Sequence, residues 1–412
     1  MSSDDLFAEA FGTESFVVNP DPQIFVPPSL TEPEVVVTSE VVVEPEIAVD
    51  PTSAVSMAAR GNLIPLSAAR DVISSTEPLA SVDLSEGSTR FRLEDGWAQG
   101  LSGLQGSAVV PAFVTVDGTE YQLTKEAILS STSAVGLNPA YTTRTPSGLI
   151  EPQLNYWFGE QGLNSPFKLL LVGTDRVGSA VTRASINPFS NVRLLNEALD
   201  AITAQYGDTQ VLVDSKFTHD LNQTFLRLVI PDHVRLINGT GTDDDVWSVG
   251  VQLKNSLTGK KQTEINGYLF RWWCTNGAID TRMASGVWSR KTGGQGDEVY
   301  EWARAAVDDV LGGLEQSLDS VQSLVGQDIA GEANDVLRDV FSHYKIPVQL
   351  REQVIANMVE SEQLTMYALM NAITVLANQA DLDPGHAESL MRAGGDIAVG
   401  GHARCNGCHR VI

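Results

Sequence analysis

Cysteine is scarce. Three stand in 412 residues, at Cys274, Cys405 and Cys408. Such sparse use excludes a disulfide framework and fits a reducing compartment. No run of about eighteen apolar residues occurs, so no membrane-spanning helix is expected. The first residues, MSSDDLFAEAF, lack a basic region followed by a long apolar one, which argues against a secretory leader. Positive charge is also short: 27 Lys and Arg stand against 52 Asp and Glu, a formal charge of −25. A field of that sign repels phosphate, so nucleic acid can bind only at a local basic surface. Nucleophile settings are missing as well. None of the six histidines lies beside a serine or cysteine in a recognisable nucleophile setting, and "LTGKKQT" lacks the first glycine and the Lys-Ser/Thr ending of a phosphate loop. No enzymatic activity is expected.

The first 59 residues hold eleven Asp or Glu and no Lys or Arg, with prolines recurring from Pro20 to Pro51. Residues 1–85 therefore read as a disordered acidic arm, because like charges and prolines oppose a packed sheet. Its tip, "DDLFAEAF", sets Leu6, Phe7, Ala10 and Phe11 on one helical face, a candidate contact for a protein partner.

From about residue 90 the texture is that of an α+β protein. "VVPAFVTV" (109–116) and "FKLLLVG" (167–173) read as strands, and 124–136 as a helix capped by Thr124. A helix over 192–207 follows, then strands at 209–214, 224–230, 246–253 and 263–274. From Asp297 the pattern is helical, first as one long helix with Gly312 and Gly313 inside it, then over 331–343, 347–361 and 364–379. The expected organisation is an arm (1–85), an α+β core (86–325) with an antiparallel sheet, a β-hairpin and a long helix, a helical C-terminal part (326–396) and a flexible Cys/His tail (397–412).

The centre of interest is 245–279, two antiparallel strands joined by "SLTGKKQT", with Thr258 and Gly259 as the turn. On the second strand Tyr268, Phe270, Trp272 and Cys274 share one face, and Ile265, Leu269, Arg271 and Trp273 the other. Strand neighbours face opposite ways, so one of the paired tryptophans enters the core. Between Lys254 and Lys291, the cations Lys254, Lys260, Lys261, Arg271, Arg282, Arg290 and Lys291 stand against only Glu264 and Asp280, a local excess of +5. Trp273 and Trp288 lie in the same stretch. Cations with interleaved aromatics suit single-stranded DNA, the cations on phosphates and a tryptophan on a base. The competing reading is a basic edge that docks an acidic protein partner or simply keeps the sheet soluble.

"LKNSLTGKKQTEINGYLFRWWCTNGAI" resembles the core of the phage- and plasmid-associated domain of unknown function numbered 932, through Asn255, Ser256, Gly259, Arg271, Cys274, Asn276 and Gly277. "TMYALMNAITVLANQ" resembles its later helical segment through Tyr367, Asn371, Ala372 and Thr374, and "LLLVGTDRVGSAVTRASINP" is similar upstream. The resemblance spans roughly residues 100 to 395 and departs at Trp273 and in the acidic arm. It implies a phage or mobile-element setting in the host cytoplasm and supplies no catalytic residues. The hairpin, strand and long helix are also similar to the β-β-β-α core of single-strand annealing proteins, an analogy of fold alone. The expected function is that of an accessory protein, a candidate homo-oligomer, holding single-stranded DNA in replication or recombination.

Two acidic or metal-like motifs complete the reading. Asp243 to Asp245 form a carboxylate run expected to be a solvated loop. The C-terminal "GGHARCNGCHRVI" offers His402, Cys405, Cys408 and His409 as crowded zinc ligands on a tail without a scaffold, so zinc binding, if any, is expected to be weak and no other cofactor is expected.

Overall fold

The computed structural model describes residues 63–398, apart from 95–96, 98–107, 174–175, 188, 216, 220–222, 238–244, 260, 273–275, 281–287, 291–297, 330–332, 361–363, 378–381 and 383. Strand and helix occupy part of the stretch that the acidic composition assigns to the arm. Strand β1 (Leu63–Pro65) runs straight into helix α1 (Leu66–Thr76), and β2 (Pro78–Leu84) follows. This corrects the expected arm boundary at residue 85; residues 1–62 lie outside the described residues. The reason is local. Acidic dominance ends near Arg60, and Ala69 and Ile73, one helical turn apart, are fully buried in the main core.

Two sheets organise the described residues, one mixed and one antiparallel. The six-stranded sheet runs in the order β2, β6 (Phe167–Val172), β7 (Val177–Arg183), β5 (Thr119–Thr124), β4 (Val109–Val116) and β3 (Thr89–Leu93). All its pairs are antiparallel except β5 with β7. Helix α2 (Lys125–Ala134) opens at the expected cap: the Thr124 hydroxyl accepts the Ala127 N–H at 3.1 Å. A short α3 (Pro139–Thr142) precedes α4 (Ser147–Leu154), which continues into a π-helix (Asn155–Glu160). Phe91, Val114, Leu123, Ile128, Ile150 and Leu154 share this sheet's own core.

The eight-stranded sheet is antiparallel throughout. Its path is β1, β8 (Leu212–Asp214), β10 (Thr224–Leu236), β11 (Val246–Asn255), β12 (Thr263–Arg271) and β13 (Asn276–Asp280); β9 (Thr218–His219) pairs with β10, and β14 (Trp288–Arg290) with β12. Between β7 and β8 lies α5 (Asn191–Tyr206), and after β14 comes α6 (Glu298–Val325), which runs unbroken through Gly312 and Gly313. Arg235 on β10 reaches α6, pairing with Glu315 at 2.6 Å and with Asp319. Helices α7 (Ala333–His343), α8 (Val348–Glu360), α9 (Met366–Leu376) and α10 (Pro384–Ala398) follow. The C-terminal part is built of helices α7 to α10, as expected, yet Val340, Val354, Ile373 and Ile397 share one core with Val249, Val251 and Leu269 of the sheet.

Strand β11 is the centre of that core, and all ten of its residues are buried. At Gly250 a Cβ would fall 1.9 Å from the Leu228 carbonyl oxygen on β10. Backbone cannot yield there as a side chain can, so Gly250→Ala is expected to cost at least about 3 kcal/mol. Denaturant unfolding checks this.

Glu77, just past α1, accepts the Asn191 N–H at the start of α5 at 3.2 Å. Burial raises its pKa, against hydrogen bonds from Ser190, Asn191 and Val192 that oppose the rise. The folded state thus holds this proton more tightly than the unfolded chain. Glu77 contributes most below its unfolded pKa, and that contribution is lost as pH rises through the folded value. Comparing Tm for Glu77→Gln and the native chain between about pH 4.5 and pH 7 should show the variant gaining on the native protein as pH rises.

Candidate functional site

The hairpin forms where the sequence indicates. β11 pairs with β12 in the register Lys254↔Glu264 to Trp247↔Arg271. Gly259 takes a positive φ of 70° in the turn. Tyr268, Phe270 and Trp272 are all buried, and the Trp272 indole N–H donates to the Ser248 hydroxyl at 2.5 Å. The expected core tryptophan is therefore Trp272. The turn, however, is no solvated tip. Ser256, Leu257 and Thr258 are buried. Leu257 packs with Leu170 and Ala180 of β6 and β7, and the Thr182 hydroxyl donates to the Thr258 carbonyl at 2.9 Å. The turn of the large sheet is thus fastened to the outer face of the small one.

Two of the expected phosphate contacts are spent inside the fold, which corrects the site reading. The Lys254 ammonium lies 3.1 Å from Glu388 on α10 and 3.5 Å from Glu264, and 5.1 Å from the Phe225 ring centroid. Arg392 closes the cluster, at 2.5 Å from Glu264 and 2.7 Å from Glu388. Arg271 grips Asp245 with two bonds, Nε to Oδ1 at 2.6 Å and Nη2 to Oδ2 at 2.8 Å. The Tyr367 hydroxyl on α9 also donates to Asp245, and the Trp247 indole N–H donates to Tyr367 at 3.1 Å. Burial foremost drives the Tyr367 pKa up. A buried charge demands a bonded partner, so Lys254 and Arg271 serve the fold and do not face a ligand. Asp245, expected in a solvated loop, is fully buried; Asp243 and Asp244 lie outside the described residues.

The remaining candidates separate clearly. Lys261 is exposed at the foot of β12. Trp288 and Arg290 lie on β14, in the register Ile265↔Trp288 and Thr263↔Arg290. Lys260, Trp273, Arg282 and Lys291 lie outside the described residues, as do Cys274 and the tail residues His402, Cys405, Cys408 and His409. Among the described residues no group of three or more His, Cys, Asp or Glu is arranged to hold a metal ion, and no helix is long and apolar enough to cross a membrane.

Sequence reasoning missed two features. One is a buried polar row. Arg227, Gln252 and Asn266 occupy directly opposed positions on β10, β11 and β12, and Asp214 ends the neighbouring β8. Arg227 and the Tyr268 hydroxyl both bond Asp214, at 3.2 and 3.0 Å, and Asn266 donates to Gln252 at 3.2 Å. Burial, then the charge of Asp214, raises the Tyr268 pKa well above that of an ordinary tyrosine. The available signal was limited to β11, where Ser248, Gln252 and Lys254 recur at even-numbered positions. The other feature is a groove of 610 Å³ beside β3, lined in part by Arg90, Gln153, Tyr156, Trp157 and Glu160. Its signal was "NYWFGE", three adjacent aromatics of which only Phe158 is buried.

Comparison with protein-family models, with curated proteins and with solved structures finds no match.

Removing Asp245 tests the internal role of Arg271. Asp245→Ala strands a buried guanidinium and should cost about 3–5 kcal/mol. Replacing both partners by apolar residues, Asp245→Leu with Arg271→Met, should recover most of that loss, because a well-packed apolar pair has no charge to desolvate. Urea unfolding of the three proteins decides it.

Proposed function

We propose that this protein is a non-enzymatic accessory protein that binds single-stranded DNA along the β12–β14 edge. With Lys254 and Arg271 committed internally, the candidate phosphate contacts of the basic stretch are Lys260, Lys261, Arg282, Arg290 and Lys291. The observation that carries the reading is the register of β14. It sets Arg290 opposite Thr263, two residues from exposed Lys261, and Trp288 opposite Ile265 on the same edge. A row of cations beside a tryptophan on a sheet edge suits a flexible polyanion whose bases can stack. Holding single strands during replication or recombination, in the phage setting that the sequence resemblance implies, is the corresponding role.

Filter binding across a salt series tests it. Each neutralised phosphate on a single strand contributes about −0.7 to the slope of log affinity against log salt. Lys261→Ala with Arg290→Ala should flatten the slope by roughly 1.4, if each contacts one phosphate. Trp288→Ala should weaken binding by about 1–3 kcal/mol at nearly constant slope. Absence of binding at low salt, or an unchanged slope in the double variant, overturns the proposal and favours a basic edge that docks an acidic protein.

A further inference from the structure

The geometry points to a second binding site, a groove on the six-stranded sheet that takes a cationic side chain from a basic peptide of a partner protein. This goes beyond the DNA reading and rests on different residues.

The helix pair α4 and π is positioned by its inward side chains. β3 is an edge strand, and its outward backbone groups need partners. Asn155 supplies them for Phe91, accepting its N–H at 2.6 Å and donating to its carbonyl at 3.0 Å. Glu151, one turn earlier, accepts the Leu93 N–H at 2.7 Å. Gly159 completes the seat: a Cβ there would meet the Thr89 carbonyl oxygen at 2.7 Å. Phe158 fills the core between Phe91 and Phe167. With these residues turned inward, Tyr156 and Trp157 are turned out. Their rings meet edge to face at 5.2 Å, and they remain 46% and 39% exposed. The fold makes little use of either ring, and exposed aromatics beside a cavity mark binding surfaces.

Charge selects the occupant. The groove brings Glu151 and Glu160 against Arg90 alone. Arg90 and Glu160 are 3.4 Å apart with both side chains more than half exposed, so water and an incoming ion can displace that contact readily. Residues 78–160 carry nine Asp or Glu against four Lys or Arg, within a chain of −25. A polyanion is repelled here. An arginine or lysine is drawn in, its cation over the Trp157 face with Glu160 beside it. The 610 Å³ volume suits one or two side chains, not a folded domain.

Calorimetric titration of the full chain tests the site, at about 0.1 M salt to screen the general field. The probe is a capped hexapeptide of alternating glycine and arginine, compared with the same peptide carrying neutral citrulline. The arginine peptide should bind and the citrulline peptide should not. Trp157→Ala should weaken binding about 2- to 30-fold, and Glu160→Gln about 2- to 5-fold. Glu352→Gln, an exposed carboxylate on α8, should change nothing. Equal binding of the two peptides, no binding of either, undiminished affinity in Trp157→Ala, or an equal loss in Glu352→Gln would each overturn the proposal. Single-stranded DNA binding should be unaltered in Trp157→Ala, so failure of the DNA reading and failure of this one are told apart.

Discussion

Burial of β11 on both faces is the constraint from which the rest follows. A strand with all ten residues buried cannot leave any polar group to water. Each polar side chain on it must find a partner within the protein. Ser248 takes the Trp272 indole, Gln252 takes Asn266, and Lys254 takes Glu264 and Glu388. Asn255 donates to the Phe189 carbonyl and to Asn191 at the start of α5, and accepts from Thr263. These contacts fix the sheet's register and tie α5 and α10 to it. They also explain why cations near the middle of the hairpin are lost to any ligand. A charge that deep is tolerable only when paired. On the proposed reading, binding therefore falls to the rim.

The same hairpin couples the two sheets. Its turn is buried against β6 and β7 through Leu257, Leu170 and Ala180. That leaves β3, β4 and β5 at the other side of the small sheet with a more open outer face, where Arg92 lies over Phe113 and pairs with Glu94 and Glu120. Charge is thereby segregated. Lys261 and Arg290 belong to the β12–β14 edge, and the small sheet carries the groove lined by Trp157 and Glu160. A chain of net −25 can serve an anionic and a cationic partner only if the two surfaces are separate.

Local chemistry made much of this legible in the sequence. The hairpin, its Gly259 turn, the Thr124 cap, α5 ending at Gly207 and the long α6 all follow from period and turn residues within a few positions of each other. What stayed hidden was non-local. Asp245 sits in a run of three carboxylates that reads as solvent-facing, and its partner Arg271 lies 26 residues on. Lys254 finds Glu388 134 residues away. No local pattern encodes such pairs. The strand and helix over Leu63–Thr76 were hidden by the acidity of the preceding stretch. The outward rings of "NYWFGE" were ambiguous because an aromatic triplet in a helix has no single apolar face, and the π-helical turn decides which ring is buried.

Amide hydrogen exchange of the full chain, alone and with a single strand of roughly 20 nucleotides, longer than one such site, tests the central claim most directly. The claim is that the hairpin interior holds the fold together while its rim binds. Amides of β11 should exchange slowly in the free protein, at the level of global unfolding, and should not respond to DNA. Protection should rise instead around residues 261–265 and 288–290. Fast exchange along β11, or DNA protection centred on β11 and the 256–258 turn, would contradict the account.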